Sequence, residues 1–90
     1  MDSIIQDEKK CYICGTEYGK IDEHHLLSGN SNRKWSEKFG LKIYLCRKCH
    51  SDVHDRHLYE LELKQLGQRT FEEKWGTREE FISLFGKSFL

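Results

Sequence analysis

A small α+β domain organised around a metal is predicted, on three observations. Two identical pairs, Cys11-x-x-Cys14 and Cys46-x-x-Cys49, supply four thiols. An alternating run, Leu41-Lys42-Ile43-Tyr44-Leu45, leads straight into the second pair and reads as a strand. Helical runs punctuated by Gly67 and Gly76 follow it. With 90 residues the chain is expected to form one domain, residues 1–90. A chain of that size buries only about 60–65% of its unfolded surface, so an added staple is expected.

The elements follow in order. Residues 1–10 are polar and are expected to be a flexible lead-in. Residues 11–57 should hold two zinc knuckles and the strands between them, and residues 58–90 should be supporting helices. Each Cys-x-x-Cys forms a tight turn that aims two sulfurs at one ion, which favours a four-cysteine structural zinc over two disulfides. A strand is expected over residues 21–27, then a loop, Ser28-Gly29-Asn30-Ser31-Asn32, with turn chemistry throughout. A short helix over residues 33–39 should end at Gly40. The second strand, residues 41–45, pairs most simply with the first. Two knuckles joined by a hairpin, the second opening into a helix, form a treble-clef-like arrangement. A long helix is expected over residues 47–66, with Val53, Leu58, Leu61 and Leu66 as a partial apolar stripe and Gly67 as its terminator. A shorter helix carries Phe71 and Trp75 up to Gly76. Thr77-Arg78-Glu79-Glu80 matches a capping box and starts the last helix, whose Phe81, Ile82, Leu84 and Phe85 read as core.

Formal net charge is zero, so bulk charge argues for no partner. Its distribution says more: residues 24–56 carry 7 basic and 3 acidic groups, a net of +4, where a polyanion would be drawn. No apolar run approaches the roughly 20 residues needed to cross a bilayer, so no membrane association is expected. The start lacks the basic and apolar regions of a signal peptide. A cytoplasmic location, where thiols stay reduced and metal binding prevails, is the expectation.

Four of the five histidines gather around the second knuckle. On a helix, His50 and His54 are four apart and share a face. The Glu that a metalloprotease would place between them is missing from His50-Ser51-Asp52-Val53-His54. His57 reads as a surface or supporting residue. Across a strand, His24 and His25 point to opposite faces, so one can bind an ion while the other takes a proton from water. An ion that neutralises a phosphate, together with a base that activates water, is what phosphodiester hydrolysis requires.

These residues resemble the HNH endonuclease family, the ββα-metal or His-Me finger group. The resemblance rests on Cys-x-x-Cys, then Asp22-Glu23-His24-His25-Leu26, then the run from Leu45-Cys46-Arg47-Lys48-Cys49 through His50-Ser51-Asp52-Val53-His54. The run Asn32-Arg33-Lys34-Trp35-Ser36-Glu37-Lys38-Phe39-Gly40-Leu41 and the closing Phe81-Ile82-x-x-Phe85-Gly86 look like a phage and prophage branch of small stand-alone members. The resemblance implies a metal-dependent DNA endonuclease that nicks or cuts duplex DNA with low sequence specificity. It implies His25 as general base and His24, His50 and His54 as ligands of a catalytic ion. Many members carry an Asn five residues before the second knuckle; here that position is Leu41, leaving Asn32, or else Asn30, to orient His25. Three imidazoles favour Zn, Ni, Co or Mn on ligand grounds, while members of the family work with Mg or Mn. The second divalent ion is therefore expected among Mg, Mn, Ni and Zn. Arg33, Lys34, Lys38, Arg47 and Lys48 are the expected phosphate contacts, which position DNA without reading sequence. The implied setting is the cytoplasm of a bacterial host, with DNA as partner and phage packaging, replication or recombination proteins as candidates beside it. A zinc module that binds nucleic acid or protein without cleaving it is the rival reading.

Overall fold

A computed structural model describes residues 2–29 and 31–90. The order of elements is β1 (Ile21–His25), α1 (Asn32–Phe39), β2 (Lys42–Cys46), α2 (Arg47–Arg56), α3 (Glu60–Lys74) and α4 (Arg78–Phe85). The class is α+β, as expected. β1 and β2 form a two-stranded antiparallel sheet, with His24 opposite Ile43 and His25 opposite Lys42. Directly opposed residues share a face. His24 therefore lies on the same face as Ile43, and His25 on the same face as Lys42.

A two-stranded sheet is marginal alone, and helices complete it. Leu41, Ile43 and Leu45 are wholly buried, and Leu26, Leu27, Leu63, Phe71, Phe81 and Phe85 join them in one core. The Phe81 and Phe85 rings stack at 4.5 Å, with Phe71 edge-on to both. Buried Ser36 ties α1 to the chain after β1. Its Oγ donates to the Leu27 carbonyl at 2.6 Å and accepts from the Leu27 N–H at 3.2 Å.

Three local signals act as the sequence suggests. Gly40 caps α1 in the left-handed region, φ 69°, and a Cβ there would lie 2.6 Å from the Asp2 carbonyl. Thr77 and Glu80 complete the capping box of α4, with hydrogen bonds of 3.1 and 3.0 Å. The stretch 41–45 supplies most of β2.

Three expectations are corrected. The lead-in is not loose. Ser3 Oγ donates to the Lys42 carbonyl, the Ile4 N–H donates to the Gly40 carbonyl, and Gln6 Oε1 accepts the Tyr44 N–H. Tyr12 N–H donates to the Tyr44 carbonyl, so this segment and the first knuckle cover the outer edge of β2. Leu26 and Leu27 lie beyond β1, buried in the core.

Finally, the long helix is two helices. His57 and Tyr59 take left-handed backbone conformations, φ 57° and 60°, and break it. α3 then runs through Gly67, which lies buried within the helix. There a Cβ would sit 3.1 Å from Leu26 Cβ and 3.4 Å from the Leu27 side chain. Gly67 is thus a close-approach residue between α3 and the chain leaving β1. Gly67→Ala should leave stability within about 1 kcal/mol, because better helix propensity offsets the tight contact. Gly67→Val, which adds branches into the core, should cost about 1–3 kcal/mol in denaturant titration.

Candidate functional site

The candidate metal centre follows from the two knuckles. Cys14 N–H points at Cys11 Sγ at 3.4 Å, and Cys49 N–H at Cys46 Sγ at 3.5 Å, the second closing the first turn of α2. The four Sγ atoms lie within 4.8 Å of one another, and none is in a disulfide. Sulfurs held about 2.3 Å from a tetrahedral ion are about 3.8 Å apart, and Cys14 Sγ and Cys46 Sγ are separated by 3.8 Å. The donor set and spacing fit a metal such as zinc.

Electrostatics suit a cation there. Burial works to raise the Cys11 thiol, but the N–H groups of Cys14, Cys46 and Ile13 outweigh it and bring Cys11 down to about 6. Burial and the other three sulfurs push Cys49 the opposite way. Four thiolates this close repel one another unless an ion neutralises them. Among the described residues, no other group of three or more metal-ligating side chains closes to this degree.

The histidines form a second, more open cluster. β1 carries His24 toward α2, where its ring centroid is 5.5 Å from that of His50, and His50 is 6.3 Å from His54. Asp22, two residues before His24 and so on the same face of β1, orients this group. Its Oδ2 lies 3.1 Å from His50 Nδ1 and 3.3 Å from Arg47 Nε. The His50 hydrogen bond, aided by Arg47, holds the Asp22 carboxyl below its ordinary value. With Nδ1–H donated to Asp22, His50 has Nε2 left for a ligand, the carboxylate–histidine arrangement common behind bound metals. His54 Nδ1 likewise faces Asp55 Oδ1 at 3.3 Å. Burial, reinforced by the neighbouring His50, His25 and His54, pushes His24 down to about 4 and keeps it neutral, as a ligand must be. Two small clefts flank His54. One, of about 250 Å³, includes His24, Val53 and His57; the other, of about 200 Å³, includes Asp22, His50 and Asp55.

His25 lies on the other face. Its Nε2 is 3.0 Å from Glu37 Oε1 on α1. Asn32, the residue the sequence suggested as orienter, begins α1 and makes no side-chain hydrogen bond among the described residues. It borders a groove that also contains Ser28, Ser83 and Phe85. Asn30 lies outside the described residues.

Arg33, Lys34, Lys38, Arg47 and Lys48 are all exposed, the first three on α1 and the last two on α2. Lys34 and Lys38 flank the Trp35 ring at 5.4 and 5.3 Å. Lys42, part of the same positive segment, is instead buried between Glu23 and Glu37 at 2.9 Å from each. His57 is exposed and pairs with Glu60 at 3.5 Å.

Sequence reasoning gave no role to Asp22 or Glu37. Asp22 was legible in principle, since alternation on a strand puts residues 22 and 24 on one face. Glu37 was not, because only the packing of α1 brings it to His25. No helix of the described residues is long and apolar enough to cross a membrane. Comparison with family models, with curated proteins and with solved structures returns no match.

Proposed function

We propose that the protein is a small metal-dependent DNA endonuclease of HNH type, built on a treble-clef-like ββα-metal finger. One observation carries this reading. Next to a four-cysteine site, His24 on β1 and His50 on α2 converge, and a carboxylate orients His50 so that its Nε2 is free. A structural zinc would occupy the cysteines. His24, His50 and His54 would hold a second divalent ion, drawn from Mg, Mn, Ni and Zn, after side-chain rotation closes their rings. When bound, that ion supplies charge neutralisation at the scissile phosphate.

The chain's own residues do the rest. Arg33, Lys34, Lys38, Arg47 and Lys48 would bind the DNA backbone without reading sequence. His25 would take the proton of a water molecule. The water O–H bond breaks, the oxygen bonds to phosphorus, and the P–O bond to the leaving oxygen breaks. The leaving oxygen keeps the electron pair and takes a proton from solvent. A phage or prophage setting, in the cytoplasm of a bacterial host with packaging, replication or recombination proteins as partners, belongs to the same reading.

The test is supercoiled-plasmid cleavage after EDTA treatment and re-addition of Mg, Mn, Ni or Zn. Metal-dependent nicking is the expected result. No cleavage by a folded, zinc-loaded chain with any of these ions, on duplex or branched DNA, would reject the reading. The Asp22→Asn variant should bind the second ion about 10–100-fold more weakly in metal titration, because the orienting carboxylate is lost. Its four-cysteine zinc should stay bound.

The second reading is a zinc-stabilised binding module that does not cleave. The placement of His25 on the face of β1 away from His24 favours it. Bound-metal content separates the two: one tightly held zinc for the module, and an additional exchangeable ion for the nuclease.

A further inference from the structure

His25 and Lys42 face each other across the two strands, and a third element joins them. Glu37, on α1, meets both of them through its carboxylate. Oε1 lies 3.0 Å from His25 Nε2, and Oε2 accepts from Lys42 Nζ at 2.9 Å. Lys42 Nζ also lies 2.9 Å from Glu23 Oε2. The Lys42 side chain is 4% exposed and that of His25 14%, so neither swings freely into solvent. A buried ammonium and an imidazole thus both hold the carboxylate.

A carboxylate only accepts hydrogen bonds, so a neutral His25 ring beside it must carry its proton on Nε2. Nδ1 is then the nitrogen with a free electron pair. We propose that Glu37, anchored by Lys42, is a positioning residue for His25: it fixes the Nε2–H tautomer and the ring plane, and so presents Nδ1 as the proton acceptor. This rests on the nuclease reading for its consequence in turnover, but the tautomer itself does not. Holding α1 against the sheet through an ion pair would need the charges alone. Positioning needs the acceptor oxygen as well.

Glu37→Gln and Glu37→Leu test this. Gln keeps the packing but has one acceptor oxygen for two donors; with that oxygen on Lys42 Nζ, its NH₂ faces His25 Nε2 and favours the opposite tautomer. Leu keeps bulk without an acceptor. In a ¹⁵N-labelled protein, long-range ¹H–¹⁵N correlation should show His25 protonated at Nε2 in wild type, at Nδ1 in Glu37→Gln, and as a mixture of tautomers in Glu37→Leu. In plasmid cleavage, both variants should lose roughly tenfold to a hundredfold in kcat with KM unchanged.

Wild-type tautomer in folded Glu37→Leu overturns the proposal. So does a wild-type kcat in that variant where His25→Ala is inactive. If neither wild type nor His25→Ala cuts DNA, the nuclease reading has failed and the tautomer measurement alone decides the role of Glu37.

Discussion

Withdrawal of a metal held by the four cysteines is expected to unfold the chain. The apolar core is small, and its largest side chains are concentrated between α3, α4 and the sheet. Each knuckle contributes one buried cysteine to that cluster, Cys11 and Cys49, and the first is a short turn with no helix or strand of its own. Cys11 and Ile13 pack it on the core, and the Tyr12–Tyr44 backbone bond and the sulfur cluster join it to the sheet. Structural zinc binding is worth about 10–16 kcal/mol in small peptides at neutral pH, while whole domains are stable by only about 5–15 kcal/mol. Loss of the ion is therefore expected to exceed the total stability.

Incubation with a strong chelator at neutral pH under reducing conditions should abolish the cooperative thermal transition and collapse amide chemical-shift dispersion. Zinc should restore both. Cys49→Ser should behave like the chelated protein, because Cys49 is buried at the start of α2 and a hydroxyl is a poor replacement for a thiolate. A chelated, metal-free chain that melts cooperatively at the wild-type Tm would remove the structural role from this site.

The parts of the fold that local chemistry dictates were legible in the sequence. Spacing alone announced the cysteine quartet. Gly40 and the Thr77–Glu80 box act through a few neighbouring residues, so a reader of the chain sees the whole cause. The break between α2 and α3 is different. No Gly or Pro stands at residues 57–59, and apolar residues continue on both sides, so local signals argue for one helix. The structure holds His57 and Tyr59 in a conformation each disfavours. Bending there carries Leu63, Gly67, Gln68 and Phe71 onto the core.

Gly67 illustrates the same conflict from the other side. Its propensity says stop, but its lack of a side chain is used against Leu26 and Leu27. Gln68 was also invisible. It is fully buried, accepts from the Phe89 N–H at 2.6 Å and donates to Ser88 at 3.0 Å, which ties down the end of the chain. The histidine pattern placed its residues on a strand and a helix that meet, but did not show the carboxylates that hold the rings. Those depend on the sheet register and on where α1 lands.

Replacement of His50 and of His25 should both stop DNA cleavage, and for different reasons. His50 stands between His24 and His54, with Asp22 fixing one nitrogen. His50→Ala removes the central imidazole of the proposed ion site, so the variant should retain one zinc per chain and lose the exchangeable ion. Cleavage should fall to background. The cost to folding should be small, since the His50 side chain is 29% exposed and the cysteine quartet is untouched.

His25→Ala should keep both ions and DNA affinity, yet lose about 10²–10⁴-fold in rate, the usual contribution of a positioned proton acceptor. It should also release Glu37 from one of its partners, and a modest loss of stability would follow from that alone. Rates must therefore be compared per folded molecule, at a temperature well below both melting transitions. Either variant cutting at the wild-type rate in the same ion would cancel its assigned role. Loss of the exchangeable ion in His25→Ala would move that residue from base to ligand. The pair of measurements thus tests the division of labour across β1, one histidine toward α2 and the next toward α1, on which the chemical reading depends.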